Sequence, residues 1–181
     1  MTTTETRRRT TAGSSRLADL GLLLLRVAVA ATMLQAGLMK ALNFDDTTRF
    51  MADGGWKMST FAAYLVTATE IAGGAALLLG LLTPLAACGI LAAMIDAWAV
   101  NVSGAAFWSD PFNVPFLAAF AATALLFTGA GNYSVDARVF DRPRWPAAVT
   151  VGSFVVGVAA AIATWALLNG TNPLHLTKPA G

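Results

Sequence analysis

Apolar residues gather in five long runs, at 18–42, 60–82, 85–102, 113–130 and 147–168, separated by short polar or turn-forming segments. Each run is close to the ~20 residues that carry a helix across the ~30 Å hydrocarbon core of a bilayer. The pattern predicts an all-α, polytopic membrane protein with five spans and its termini on opposite sides. The first run has two features of a signal peptide, since Arg7, Arg8, Arg9 and Arg16 precede it and Ala28-Val29-Ala30 looks like a cleavage site. Its apolar character continues to Leu42, however, which is too long for a signal and long enough to span.

Composition agrees: 56% of the residues are hydrophobic and 12% charged, and the mean hydropathy is +0.63, well outside the soluble average. The formal charge of +2 is too small to suggest a nucleic-acid partner. It bears instead on orientation. Arg7, Arg8, Arg9, Arg16, Arg138, Arg142 and Arg144 fall on one side of the five-span arrangement, and Arg49, Lys57 and Lys178 on the other. The positive-inside rule then predicts a cytoplasmic N-terminus, a cytoplasmic loop over 131–146 and an external C-terminus. Thr83-Pro84 makes a tight inner turn and Asp110-Pro111 an outer one. Trp56, Trp98, Trp108 and Trp165 near outer boundaries and Trp145 near an inner one are expected to form aromatic belts. Residues 1–16, rich in Thr, Arg and Ser, read as a disordered cytoplasmic tail. Residues 171–181 read as an extended external tail.

Four ionisable side chains fall inside the runs: Arg26, Lys40, Glu70 and Asp96. Each costs roughly 2.5–3.5 kcal/mol at mid-membrane on insertion scales, so each is expected to face protein or water. At 100° per residue, Arg26, Met33, Gly37 and Lys40 share one face of their helix, as do Thr67, Glu70, Gly74 and Leu77 on the second, and Gly89, Ala92, Ala93, Asp96 and Val100 on the third. Small residues beside the charges favour close helix contact in lipid. These faces are expected to meet, with Arg26 packed against Glu70, Asp96 or both, and one acid left in excess. Three roles fit such a cluster: a structural ion-pair network, a polar ligand or quinone site, or a proton or ion path. Lys40 is expected to snorkel to the outer surface beside Asp45 or Asp46.

Other candidates are weaker. Cys88 is the only cysteine, so no intramolecular disulfide forms, and it reads as a packing residue. His175 is the only histidine, which excludes a bis-histidine haem and leaves no metal ligand set. No phosphate loop, dinucleotide-binding turn or serine triad is present.

The run Leu-Leu-Leu-Arg26 followed by Gln35-Ala-Gly37-Leu-Met-Lys40 resembles the start of the DoxX family of small bacterial membrane proteins. The segment from Glu70 through Gly73-Gly74 and Gly80 to Thr83-Pro84 is similar to that family's second helix and its turn. Gly129-Ala-Gly131-Asn-Tyr-Ser134-Val-Asp136 is similar to the Gly-x-Gly-x-x-Ser-x-Asp segment that closes its fourth. The likeness extends over 18–140. It implies a four-helix membrane domain over 17–140; the cytoplasmic linker and fifth helix over 141–170 depart from that plan. By position it carries over Arg26, Lys40, Glu70 and Asp136.

The resemblance also implies a bacterial inner-membrane location and a link to oxidoreductase systems that reduce quinone. The leading expectation is a membrane subunit or anchor of a redox complex, whose protein partners hold the electron-transfer cofactors, with none bound by this chain alone and a quinone as the candidate ligand. A small transporter or ion pathway, and a structural scaffold without activity of its own, are the alternatives. Self-association is left open.

Overall fold

The computed structural model describes residues 3–177, with side chains described from Arg16 onward. Seven α-helices and no strand occur among the described residues: α1 Thr3–Leu42, α2 Phe44–Asp53, α3 Ser59–Leu79, α4 Thr83–Ser103, α5 Val114–Thr128, α6 Val135–Val139 and α7 Ala147–Thr164. Arg16–Leu42 of α1, α3, α4 and the stretch Ala147–Asn169 are long and apolar enough to cross a membrane.

Four helices form a ring in which α1 packs on α3, α3 on α4, α4 on α5 and α5 on α1, while α7 lies outside against α4 and α5. At one end Asn132 meets Asp19 of α1, and Asp136 meets the α3–α4 turn. At the other end Lys57 N–H donates to Leu168 O beyond α7, and Trp98 reaches Pro111 before α5. The first and last described stretches therefore lie at opposite ends. Short α6 sits at the first end; α2, with Asp45, Asp46 and Arg49 exposed and Met51 buried, lies across the second.

The core is built from Met33, Leu77, Ile90, Leu125 and a large share of alanine, while Leu24, Leu38, Phe120, Val155 and Ile162 point outward. With lipid as apolar as leucine, helices associate through close van der Waals contact. Gly37 and Gly74 make that contact possible between α1 and α3: a Cβ on Gly37 would lie 3.0 Å from Glu70 Cβ, and one on Gly74 would lie 3.1 Å from Met33 Cβ. The added helix α7 joins by the same device, since Gly157 seats it against the Cys88 carbonyl of α4. Cys88 is buried there, as a packing residue.

Several boundaries differ from those the hydropathy suggests. The fourth apolar run yields only the 15-residue α5, about 22 Å long at ~1.5 Å per residue. The Asn113 side chain starts it by accepting from Phe116 N–H, and Gly129 at φ +82° ends it, so neighbouring apolar residues fall in loops. Helix α1 begins within the segment whose composition predicts disorder: backbone hydrogen bonds of a helix already nucleated by the span extend it without needing apolar burial. At the far end α7 passes into a π-type turn, Trp165–Asn169. The following residues are docked rather than free, with Phe107 N–H donating to His175 O and Trp165 Nε1 to Thr171 O. The end of the predicted tail, 178–181, lies outside the described residues.

Trp56 does not join a surface belt. It is buried over the end of the bundle, edge-on to Trp165 with ring centroids 5.6 Å apart.

Candidate functional site

A cavity of about 440 Å³ lies between α3, α4 and α7, beneath α2 and Trp56. Three of the four ionisable residues of the spans, Lys40, Glu70 and Asp96, line it. Its floor is the α4 face that helical spacing predicts, Gly89, Ala92, Ala93, Asp96 and Val100, whose small side chains leave the room.

Lys40 Nζ donates to both oxygens of Glu70, at 2.8 and 2.7 Å. Glu70 is 2% exposed and the Lys40 side chain 29%. Lys40 thus turns inward instead of snorkelling toward Asp45 or Asp46, and Asp46 pairs with Arg49 on its own helix. The cause is one turn back along α1. Gly37 lets α3 approach until Glu70 lies beside the lysine stem, and a buried carboxylate attracts the ammonium more strongly than an exposed one. An ammonium has three N–H donors, so one remains for a further acceptor.

Asp96 faces the same cavity with no such partner. Its Oδ1 is buried and makes no hydrogen bond to any described residue. The site therefore combines a fixed ammonium–carboxylate pair with a separate carboxyl group. Such a set can hold a polar ligand group from two sides and can exchange a proton with it.

Arg26 does not belong to this cluster, and the expected contact with Glu70 or Asp96 is not made. It shares the α1 face with Lys40, yet 14 residues separate them, about 21 Å along the helix. Because α3 runs antiparallel, Glu70 lies at the level of Lys40, and Arg26 lies at the level of Gly80. There the guanidinium is 1% exposed and donates through Nη2 to Tyr133 O at 2.5 Å. Among the described residues no ion pair within 4 Å holds it, and Asp136 is the carboxylate whose charge acts on it. A Cβ on Gly80, at φ +64°, would overlap this guanidinium.

Asp136, fully buried, organises that end of the bundle. Its carboxylate accepts from Leu82 N–H at 2.7 Å, Thr83 N–H at 2.9 Å and Trp145 Nε1 at 3.0 Å. It thereby caps α4, whose preceding residue Leu82 takes the left-handed conformation at φ +46°. Ser134 in turn caps α6 through Ala137 N–H. The four positions that the family resemblance singles out thus divide: Arg26 and Asp136 latch one end, while Lys40 and Glu70 line the cavity near the other. Helical periodicity did not point to Trp56, Ala160 or Thr164 as cavity residues, because each comes from another segment. Among the described residues no group of His, Cys, Asp and Glu converges as a metal site would.

The fold and the site define a polytopic helical membrane protein with a partly apolar side cavity carrying a buried lysine–glutamate pair and a separate aspartate. The DoxX family model matches residues 21–108, the stretch that holds Arg26, Lys40, Glu70 and Asp96, and this match supports membership of the DoxX family. No curated protein and no solved structure matches it.

Proposed function

We propose that the chain is a membrane subunit of a quinone-linked oxidoreductase in the bacterial inner membrane, with its N-terminus inside and its C-terminus outside. The observation that carries this reading is the cavity: a mostly apolar space of about 440 Å³ into which Lys40, Glu70 and Asp96 all turn, with one Asp96 oxygen unpartnered. A quinone ring suits apolar walls, and its two carbonyl oxygens need hydrogen-bond donors that strengthen as negative charge develops on reduction. The free N–H of Lys40 supplies one donor. A protonated Asp96 supplies the other and can pass its proton to the reduced oxygen. Reduction to the quinol takes two electrons and two protons; the electrons come from a cofactor held by a partner protein, one proton from Asp96 and the other from the Lys40 ammonium that donates to the second oxygen.

The test is quinone reduction by the complex purified with its native partners. Asp96→Asn keeps the shape of the carboxyl group but cannot exchange a proton at neutral pH, so the complex is expected to assemble normally and lose turnover. Glu70→Gln is expected to weaken turnover by loosening Lys40. Assembly is checked by size exclusion. Full activity in both amide variants would refute the redox site and leave a scaffold role.

A further inference from the structure

The cavity's surroundings bear on how a ligand reaches it. Its water-facing end is partly covered, with Phe50 and Asn101 of its lining exposed at the rim. Trp56 and Met51 are buried across it, and the α2–α3 connection is tied to the end of α7 by Lys57 N–H to Leu168 O at 2.7 Å and Asn169 Nδ2 to Gly54 O at 2.9 Å. Trp165 packs on Trp56 and holds the following strap through Thr171 O at 2.8 Å. The side is open. Helices α3 and α7 each pack on α4 but barely touch one another, and the cavity residues that border this gap, Leu65 on α3 and Ala160 on α7, are exposed on the flank that faces lipid.

We infer that the ligand enters sideways from the bilayer, between α3 and α7, and is therefore a membrane-borne lipophile whose polar head sits among Lys40, Glu70 and Asp96 while its tail leaves through the gap. The inference rests on the cavity being the ligand site, but not on the ligand being redox-active. Small residues serve two purposes along this route: Gly89, Ala92 and Ala93 make the floor over which a head group slides, and Ala160 leaves the gap unblocked. A water-soluble ligand would instead have to pass the rim beside Trp56, which Trp165 and the Lys57–Leu168 and Asn169–Gly54 hydrogen bonds hold in place.

The experiment uses the full chain in lipid nanodiscs and two photoreactive probes: an azidoquinone with a prenyl tail, and a diazirine-bearing long-chain alcohol without a quinone head. Labelled peptides are mapped by mass spectrometry. Ala160→Trp fills the gap from a site that already faces lipid, so folding is undisturbed. Ile162→Trp places the same bulk on another lipid-facing side of α7, as Ile162 is exposed and does not line the cavity. Saturable labelling of the 62–70 and 160–164 peptides is expected in the native chain and in Ile162→Trp, falling about tenfold or more in Ala160→Trp, equivalent to about 1.4 kcal/mol of lost binding. Labelling by the alcohol but not the quinone, with the same dependence on Ala160, supports sideways entry and refutes the quinone reading. Labelling by neither probe, or labelling that survives Ala160→Trp, overturns the inference.

Discussion

Replacing Asp136 tests the reasoning about the latched end of the bundle, because one buried carboxylate there answers three N–H donors. Asp136→Ala leaves Leu82 N–H, Thr83 N–H and Trp145 Nε1 without their acceptor. A buried orphaned donor costs about 1–3 kcal/mol. Leu82 is 40% exposed, so water can recover part of its loss, which places the expected total near the lower half of the range, about 3–5 kcal/mol. Asp136→Asn keeps one oxygen. Oriented toward Thr83 and Trp145 it preserves two bonds, but its NH₂ then opposes Leu82 N–H, for an expected loss of about 1.5–3 kcal/mol. Trp145→Phe removes a donor together with its need for a partner and leaves the helix cap intact, so about 0.5–1.5 kcal/mol is expected. Equilibrium unfolding in mixed detergent micelles, followed by tryptophan fluorescence for the Asp136 variants and by circular dichroism for Trp145→Phe, gives the order directly. If Asp136→Ala is no less stable than Trp145→Phe, the carboxylate does not hold α4 in place and the argument fails.

Three further outcomes are expected. Lys40→Met alone strands a buried Glu70 and is expected to destabilise the bundle by about 3–5 kcal/mol, whereas Lys40→Met with Glu70→Leu recovers most of that loss; additive losses in the double-mutant cycle would show that the two side chains are uncoupled. Gly80→Ala combines a left-handed backbone with overlap against Arg26 and Ser134, and is expected to cost about 2–5 kcal/mol in the same unfolding assay; an unchanged transition would contradict the packing described. Reporter fusions before Arg16 and after Thr177 are expected to place the N-terminus in the cytoplasm and the C-terminus outside, and both reporters on one side would rule out an odd number of crossings.

The membrane class, four of the five predicted spans and the inward faces of the first three could be read from the chain itself, because hydrocarbon thickness sets span length and the 3.6-residue period sets direction around the axis. The faces containing Gly37, Gly74 and Gly89 are buried or line the cavity as spacing predicts. Periodicity carries no information about which residues on different helices lie at the same depth. Arg26 and Lys40 point the same way, and only the antiparallel packing of α1 on α3 decided that Lys40, not Arg26, reaches Glu70. Likewise Asp136 reads as a loop acid until the α3–α4 turn is folded against it, 53 residues away from Thr83 in the chain. The shortening of α5 came from a cap and a positive-φ glycine, local signals that a hydropathy window averages away. The cavity itself depends on a gap between α3 and α7, and a gap between two helices is a property of their arrangement around α4 that neither helix encodes alone.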